Sequence, residues 1–204
     1  MTSVQIDKAS LSNVRLLLSG VGKEAPKILS RALNATATKG RTEVSKAIRT
    51  EVKLSAAYVR DRLSIKKSSY KNLQSKVLTP SRGILLSRFS TQANIRSENI
   101  SWIKPPATPK RGIKVKVSPN GGTKTITGDN ETKGKPFYLA LPNGRLGIAA
   151  RRKSPGPKGG TIKVFHGPSL SQVFNNIKED LGDPLAEYQE DQVVKQIDSI
   201  LRGF

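Results

Sequence analysis

Between Ala150 and Leu170 the chain reads ARRKSPGPKGGTIKVFHGPSL, with six Lys, Arg or His side chains around a Gly-Pro-rich middle. Such a loop has the outward look of a phosphate cradle. That chemistry requires G-x-x-x-x-G-K-[ST] between a strand and a helix, so that backbone N–H groups and the helix dipole converge on the anion. Gly156, Gly159 and Gly160 have the wrong spacing, no Lys-Ser or Lys-Thr pair follows, and the next element is the strand-like TIKVF. Nucleotide binding is set aside. A solvated hairpin loop and a basic arm touching DNA or an acidic partner both stay open.

The single histidine, His166, would need a carboxylate or nucleophile brought to it by the fold, and no such constellation lies nearby in sequence. HGPS, His166 to Ser169, predicts a strand-to-helix corner instead. Glu43, Glu51, Asp61 and Glu98 are scattered among bases and read as solvated ion pairs. Without cysteine, a zinc-ligand cluster or a calcium-loop pattern, no metal, cofactor or catalytic residue is expected. The expectation is a non-enzyme.

Charge is the dominant feature. Thirty-six Lys+Arg face 15 Asp+Glu, net +21, which favours anionic partners. Lys178 to Phe204 carries seven acidic and three basic residues, net −4, leaving +25 on residues 1–177. A basic body with an acidic end can pair head-to-tail with copies of itself, or neutralise itself within one chain. Only 35% of residues are hydrophobic and 5% aromatic. That implies a modest core with long exposed segments, or one completed by neighbouring subunits. No apolar run reaches the roughly 20 residues of a membrane span, and MTSVQIDKAS lacks a signal-peptide pattern. A soluble protein made where it is used is expected.

These groups must be positioned by a small set of elements. From Lys23 to Leu54, Ala25, Leu29, Ala32, Leu33, Thr36, Ala37, Val44, Ala47 and Ile48 recur on one helical face. Lys27, Arg31, Lys39, Lys46, Arg49 and Lys53 occupy the other, with no acid expected to balance them. Gly40 inside this helix marks a kink or a close helix contact. LSAAYVRDRL predicts a short second helix capped by Ser55, and a weaker helix is expected around Ser10 to Ser19. Strand-like runs follow in LSIKKSS, LQSKVLTPSRGILLSRF, GIKVKV and TIKVF. FYLALPNGRLGIAAR predicts a hairpin with a type I′ turn at Asn143-Gly144. The basic segments about 104–136 and 151–160 read as long loops. Helical period returns from Ser169, with Ser169 or Ser171 as cap, and again in an acidic helix about 183–202 starting at Asp183-Pro184. The order implies one α+β domain over residues 1–204: a long N-terminal helix packed on an antiparallel β-sheet or small sandwich, with C-terminal helices.

Taken together these stretches resemble the prophage minor tail protein Z family. The likeness lies in an Ala-x-Asn segment (Ala32 to Asn34), the long basic helix, Arg60 and Arg62 on the second helix, and LSIKKSS entering a strand. ILLSRF (Ile84 to Phe89), KPFYLALPNGRLGIAARR (Lys135 to Arg152) and VFHGPSLSQVF (Val164 to Phe174) continue it. The resemblance implies a structural neck or tail-completion protein of a phage virion, made in the host cytoplasm. It implies a homo-oligomeric ring, a hexamer by expectation, between the head-closure or portal side and the tail terminator or tail tube, with a channel for the genome. Genomic DNA is a further, non-specific partner, and no membrane is involved. Docking or phosphate contact is expected at Lys110, Arg111, Lys114, Lys116, Arg145, Arg151, Arg152, Lys153 and Lys158. Composition alone also fits a non-specific nucleic-acid-binding protein of ribosomal or nucleoid type.

Overall fold

The computed structural model describes residues 20–92, 104–156 and 159–202. The helix expected at Ser10 to Ser19 and the contact residue Lys158 lie outside these. The chain divides into two compact units. One, the helical unit, takes both ends of the chain (1–48, 55–81 and 170–204); the other, the strand unit, takes residues 49–54 and 82–169.

The helical unit is built on α1 (Ala25–Glu51). Ile28, Ala32, Thr36, Ala37, Gly40, Val44 and Ile48 are its buried residues with Ser30 and Ser45, a wider face than the apolar pattern alone marks. Thr36 is accommodated because its hydroxyl donates to Ala32 O at 3.0 Å, one turn back. α2 (Ala56–Arg62) begins where Ser55 Oγ accepts from Tyr58 N at 3.3 Å, the predicted cap. β1 (Ser64–Lys66) and β2 (Lys76–Leu78) pair antiparallel. α3 (Leu170–Ile177) buries Leu170, Val173, Phe174 and Ile177 on one stripe, each worth about 1.5–3 kcal/mol when fully buried.

The acidic helix, α4, runs Gly182–Leu201. Leu181, not Asp183, holds the cap position, and Asp183 sits in the first turn, where a carboxylate favours the exposed N–H groups. Val193 and Ile197 of α4 close a core with Ile28 and Ala32 of α1. Gly40 stands at a helix contact, as expected: a Cβ there would meet Leu185 of α4 at 3.4 Å and Val77 of β2 at 3.9 Å. The expected packing of the long helix against an antiparallel pair and a C-terminal helix is therefore present.

In the strand unit β3 (Gly83–Leu85) pairs antiparallel with β9 (His166–Ser169), so HGPS is itself a paired strand, and it leads directly into α3 at Leu170. A single turn at Leu86–Phe89 follows β3. β4 (Lys114–Val115) pairs with β5 (Lys124–Thr125). β6 (Thr132–Ala140), β7 (Leu146–Arg152) and β8 (Ile162–Val164) form a three-stranded antiparallel sheet. The stretch 104–136 thus holds a ribbon and the first residues of β6. Leu146 to Ala150 are all buried, as in a strand covered on both faces.

The β6–β7 hairpin forms as predicted, with a different turn. Gly144 N donates to Leu141 O at 2.9 Å, and Leu141 N donates to Arg145 O at 2.8 Å. Gly144 alone in this turn has positive φ, +73°; no non-glycine residue among those described does. A type I′ turn needs two such residues. Pro142, with φ locked negative, opens an ordinary turn, and Gly144 supplies the left-handed residue that closes it.

Candidate docking surface

The strand unit carries nineteen Lys+Arg against four Asp+Glu in sequence, net +15, whereas the helical unit carries seventeen against eleven, net +6. Most of the candidate contact residues lie on two pieces of local structure in the strand unit. Gly112 N donates to Pro109 O at 2.9 Å, a turn that presents Lys110 and Arg111 to solvent ahead of β4. On β4, Val115 is buried and Lys114 exposed, by the alternation of a strand. Lys116 is half-buried, its N–H donating to Phe89 O at 2.8 Å. Lys124 stands exposed on β5 opposite Val115, so it joins this cationic ribbon. Sequence reading missed it because KT carries no apolar alternation to mark a strand.

The second piece is the far end of β7. Arg151 pairs with Lys133 of β6 and Ile162 of β8, which places the three on one face. Arg152 points to the other face, and its charge is taken: Nη1 donates to Glu131 Oε2 at 3.1 Å. Lys163 reaches the same carboxylate at 3.0 Å and also pairs with Asp129. The Lys163 ammonium holds both carboxyls below their ordinary values, while Asp129 first and Glu131 second hold that ammonium above its own. Arg152, expected as a contact residue, is thus tied to a carboxylate of its own chain. Lys153 has an exposed side chain, and its N–H donates to Glu131 O at 2.9 Å. Arg145 is exposed at the hairpin turn, at the other end of β7 from Arg151, about 20 Å away at strand rise. The eight candidates among the described residues are not gathered into one site.

The long helix also differs from expectation. Glu43 Oε1 pairs with Lys39 at 3.2 Å and Lys46 at 3.1 Å, and Glu24 pairs with Lys27 at 3.1 Å. Lys27, Lys39 and Lys46 of the basic face thus each have a carboxylate one turn away. Glu43 is held below its ordinary pKa by hydrogen bonds from Lys46 and then Lys39. His166 places Nδ1 3.1 Å from Val164 O, a backbone contact. No group of three His, Asp or Glu that could hold a metal lies among the described residues, and no described helix is long and apolar enough to cross a membrane.

A family model described as Prophage minor tail protein Z (GPZ) matches residues 11–204. The chain belongs to that family. Neither the curated proteins nor the solved structures gave a match. Membership makes this a phage tail protein by family, and the geometry explains why the stretches that carry the likeness to minor tail protein Z occur together. Asn34 of the Ala-x-Asn segment clamps Ser68 of LSIKKSS: Ser68 N donates to Asn34 Oδ1 at 2.8 Å, and Asn34 Nδ2 donates to Ser68 O at 3.2 Å. ILLSRF meets HGPS through β3–β9, and a Cβ on Gly167 would lie 2.7 Å from the Phe89 ring. Ser87 of ILLSRF donates to Leu146 O in the hairpin. These motifs are halves of contacts.

Proposed function

We propose that the chain is a non-enzymatic component of a phage neck or tail-completion ring. In this reading it joins the tail to the head-closure or portal side and leaves a channel for genome passage. The observation that carries the proposal is the family match over residues 11–204. The acid-poor strand unit supports it: a surface of net +15 can neutralise phosphate or an acidic ring without reading bases. Lys110, Arg111, Lys114 and Lys116, with Lys124, are the proposed contact set on the ribbon, and Arg151 with Lys133 on the sheet. Partners are further copies, the tail terminator or tube, head-closure proteins and, non-specifically, the genome.

The test is twofold. Negative-stain images of the purified chain are expected to show closed rings with an open centre. Phage lacking the gene should yield tails that fail to join heads, restored by the wild-type chain and equally by His166→Ala. An isolated monomer that binds any DNA duplex, with affinity falling steeply in salt, would instead support the free nucleic-acid-binding reading. In that case Lys114→Ala and Lys124→Ala, each removing one cation from the phosphate backbone, should each flatten the salt slope by about one.

A further inference from the structure

Five large hydrophobic side chains stand exposed among the described residues: Tyr70 (63%), Leu73 (41%), Ile162 (38%), Val194 (44%) and Leu201 (72%). Four of them belong to the helical unit, and they fall into two pairs. Tyr70 and Leu73 belong to the turn between β1 and β2, with exposed Lys66, Lys67 and Lys71 around them. Val194 and Leu201 lie seven residues apart on α4, so they share one face. Exposed Glu187, Asp191 and Asp198 line that face, with the cations Lys195 and Arg202 at its edge. None of these charged side chains has an ion-pair partner among the described residues.

The turn is held rigidly. Ser69 and Asn72 exchange backbone hydrogen bonds at 2.9 and 3.0 Å, leaving Tyr70 and Lys71 at the tip. Behind it Ser68 is buried and bound to both Ser30 and Asn34 of α1, and Ser75 Oγ donates to Leu33 O at 2.9 Å. A buried polar clamp of this kind fixes one geometry. It does so here for a tip whose own side chains touch solvent.

We infer that these two patches are the two halves of a contact between copies of this chain: the Tyr70/Leu73 tip with its three lysines on one copy, the Val194/Leu201 face of α4 with its carboxylates on the next. Charge and apolar content match in both halves. The clamp uses Ser30 and Asn34 of α1, whereas α4 packs on Ile28 and Ala32. At 100° per residue these two faces of α1 lie about 160° apart. The tip and α4 are thus anchored on different faces of α1, and two different patches on one copy pair head-to-tail, the kind of contact from which rings can close. The inference rests on the ring reading for closure, and it names the surfaces that reading leaves open.

Charge reversal tests it. One variant carries Lys66→Glu, Lys67→Glu and Lys71→Glu; the other carries Glu187→Lys, Asp191→Lys and Asp198→Lys. All six positions are exposed, and circular dichroism checks folding. In sedimentation velocity each variant alone should stay monomeric, because its two patches now repel. An equimolar mixture should assemble, because each altered patch meets its complement. Tyr70→Ser with Leu201→Ser should weaken self-association about tenfold or more and leave its salt dependence unchanged. If wild type forms rings and either triple variant does too, the contact is wrong and the ring stands. A mixture of folded variants that stays monomeric also overturns the contact. A wild-type chain that is monomeric at high concentration and low salt overturns the contact and the self-assembled ring together. Loss of DNA binding with the lysines, without any change in assembly, assigns the tip to nucleic acid and ends the proposal.

Discussion

The long helix α1 and the strand unit handle a surplus of positive charge in opposite ways. On α1 of the helical unit, Glu24 and Glu43 stand three or four residues from Lys27, Lys39 and Lys46 and pair with them. Helical spacing makes this possible with local sequence. In the strand unit the only described acidic cluster, Asp129 and Glu131, is spent on Arg152 and Lys163 at the end of one sheet. The cations of the β4–β5 ribbon, and Lys133 and Arg151, have no ion-pair partner among the described residues. Charge is paired at Lys27, Lys39 and Lys46 of α1 and available on the ribbon and sheet face of the strand unit. The candidate contact surface follows from that difference more than from any motif.

Core substitutions give the largest expected effects and ask whether the units differ in kind or only in surface. Phe174 in the helical unit and Phe89 in the strand unit are both fully buried. Phe174→Ala and Phe89→Ala should each cost about 3–5 kcal/mol by denaturant unfolding. A much smaller loss for Phe89→Ala would mean that the strand unit has the looser core and relies on neighbours. Next in size is Gly167→Ala, which drives a methyl into the Phe89 ring and should cost about 1–3 kcal/mol. Asn34→Ala removes both bonds to Ser68 and leaves a part-buried N–H without its acceptor, for about 1–2 kcal/mol. Asn34→Asp retains the acceptor only and should fall between alanine and wild type.

Much of this architecture is legible from spacing. The long helix, the Ser55 cap, the β6–β7 hairpin and the C-terminal helices all follow from period and punctuation. What is not legible depends on partners distant in sequence. HGPS has the composition of a corner, yet it pairs with Gly83 to Leu85, more than 80 residues earlier. Arg152 looks available in sequence because Glu131 lies 21 residues away. In α4 the buried row is Leu185, Gln189, Val193 and Ile197; Gln189 hides in it because a polar side chain carries no hydrophobic signal. Glu43 is the opposite case. Its two lysines stand at i−4 and i+3, a pattern already present in the sequence that an eye on the cations alone misses.

The smallest effects sharpen the contrast most directly. Glu43→Gln removes two surface pairs and should cost only about 0.3–0.5 kcal/mol for each in low salt. The Glu43 carboxyl is held below its ordinary value of 4.5 in the folded chain. Its contribution is therefore present above that value and is lost as pH falls through the lowered one. The difference between wild type and Glu43→Gln should shrink toward zero in acid and in high salt. Glu131→Gln should behave differently, because the same loss of a carboxylate there releases Arg152. Asp129 still holds Lys163, so the sheet keeps part of its tie. The freed guanidinium joins the cations available to an anion, and the slope of DNA affinity against salt should steepen by about one phosphate contact. A matching increase from Glu43→Gln would show that the helix cations also face the anionic partner, and the division of labour between α1 and the strand unit would fail.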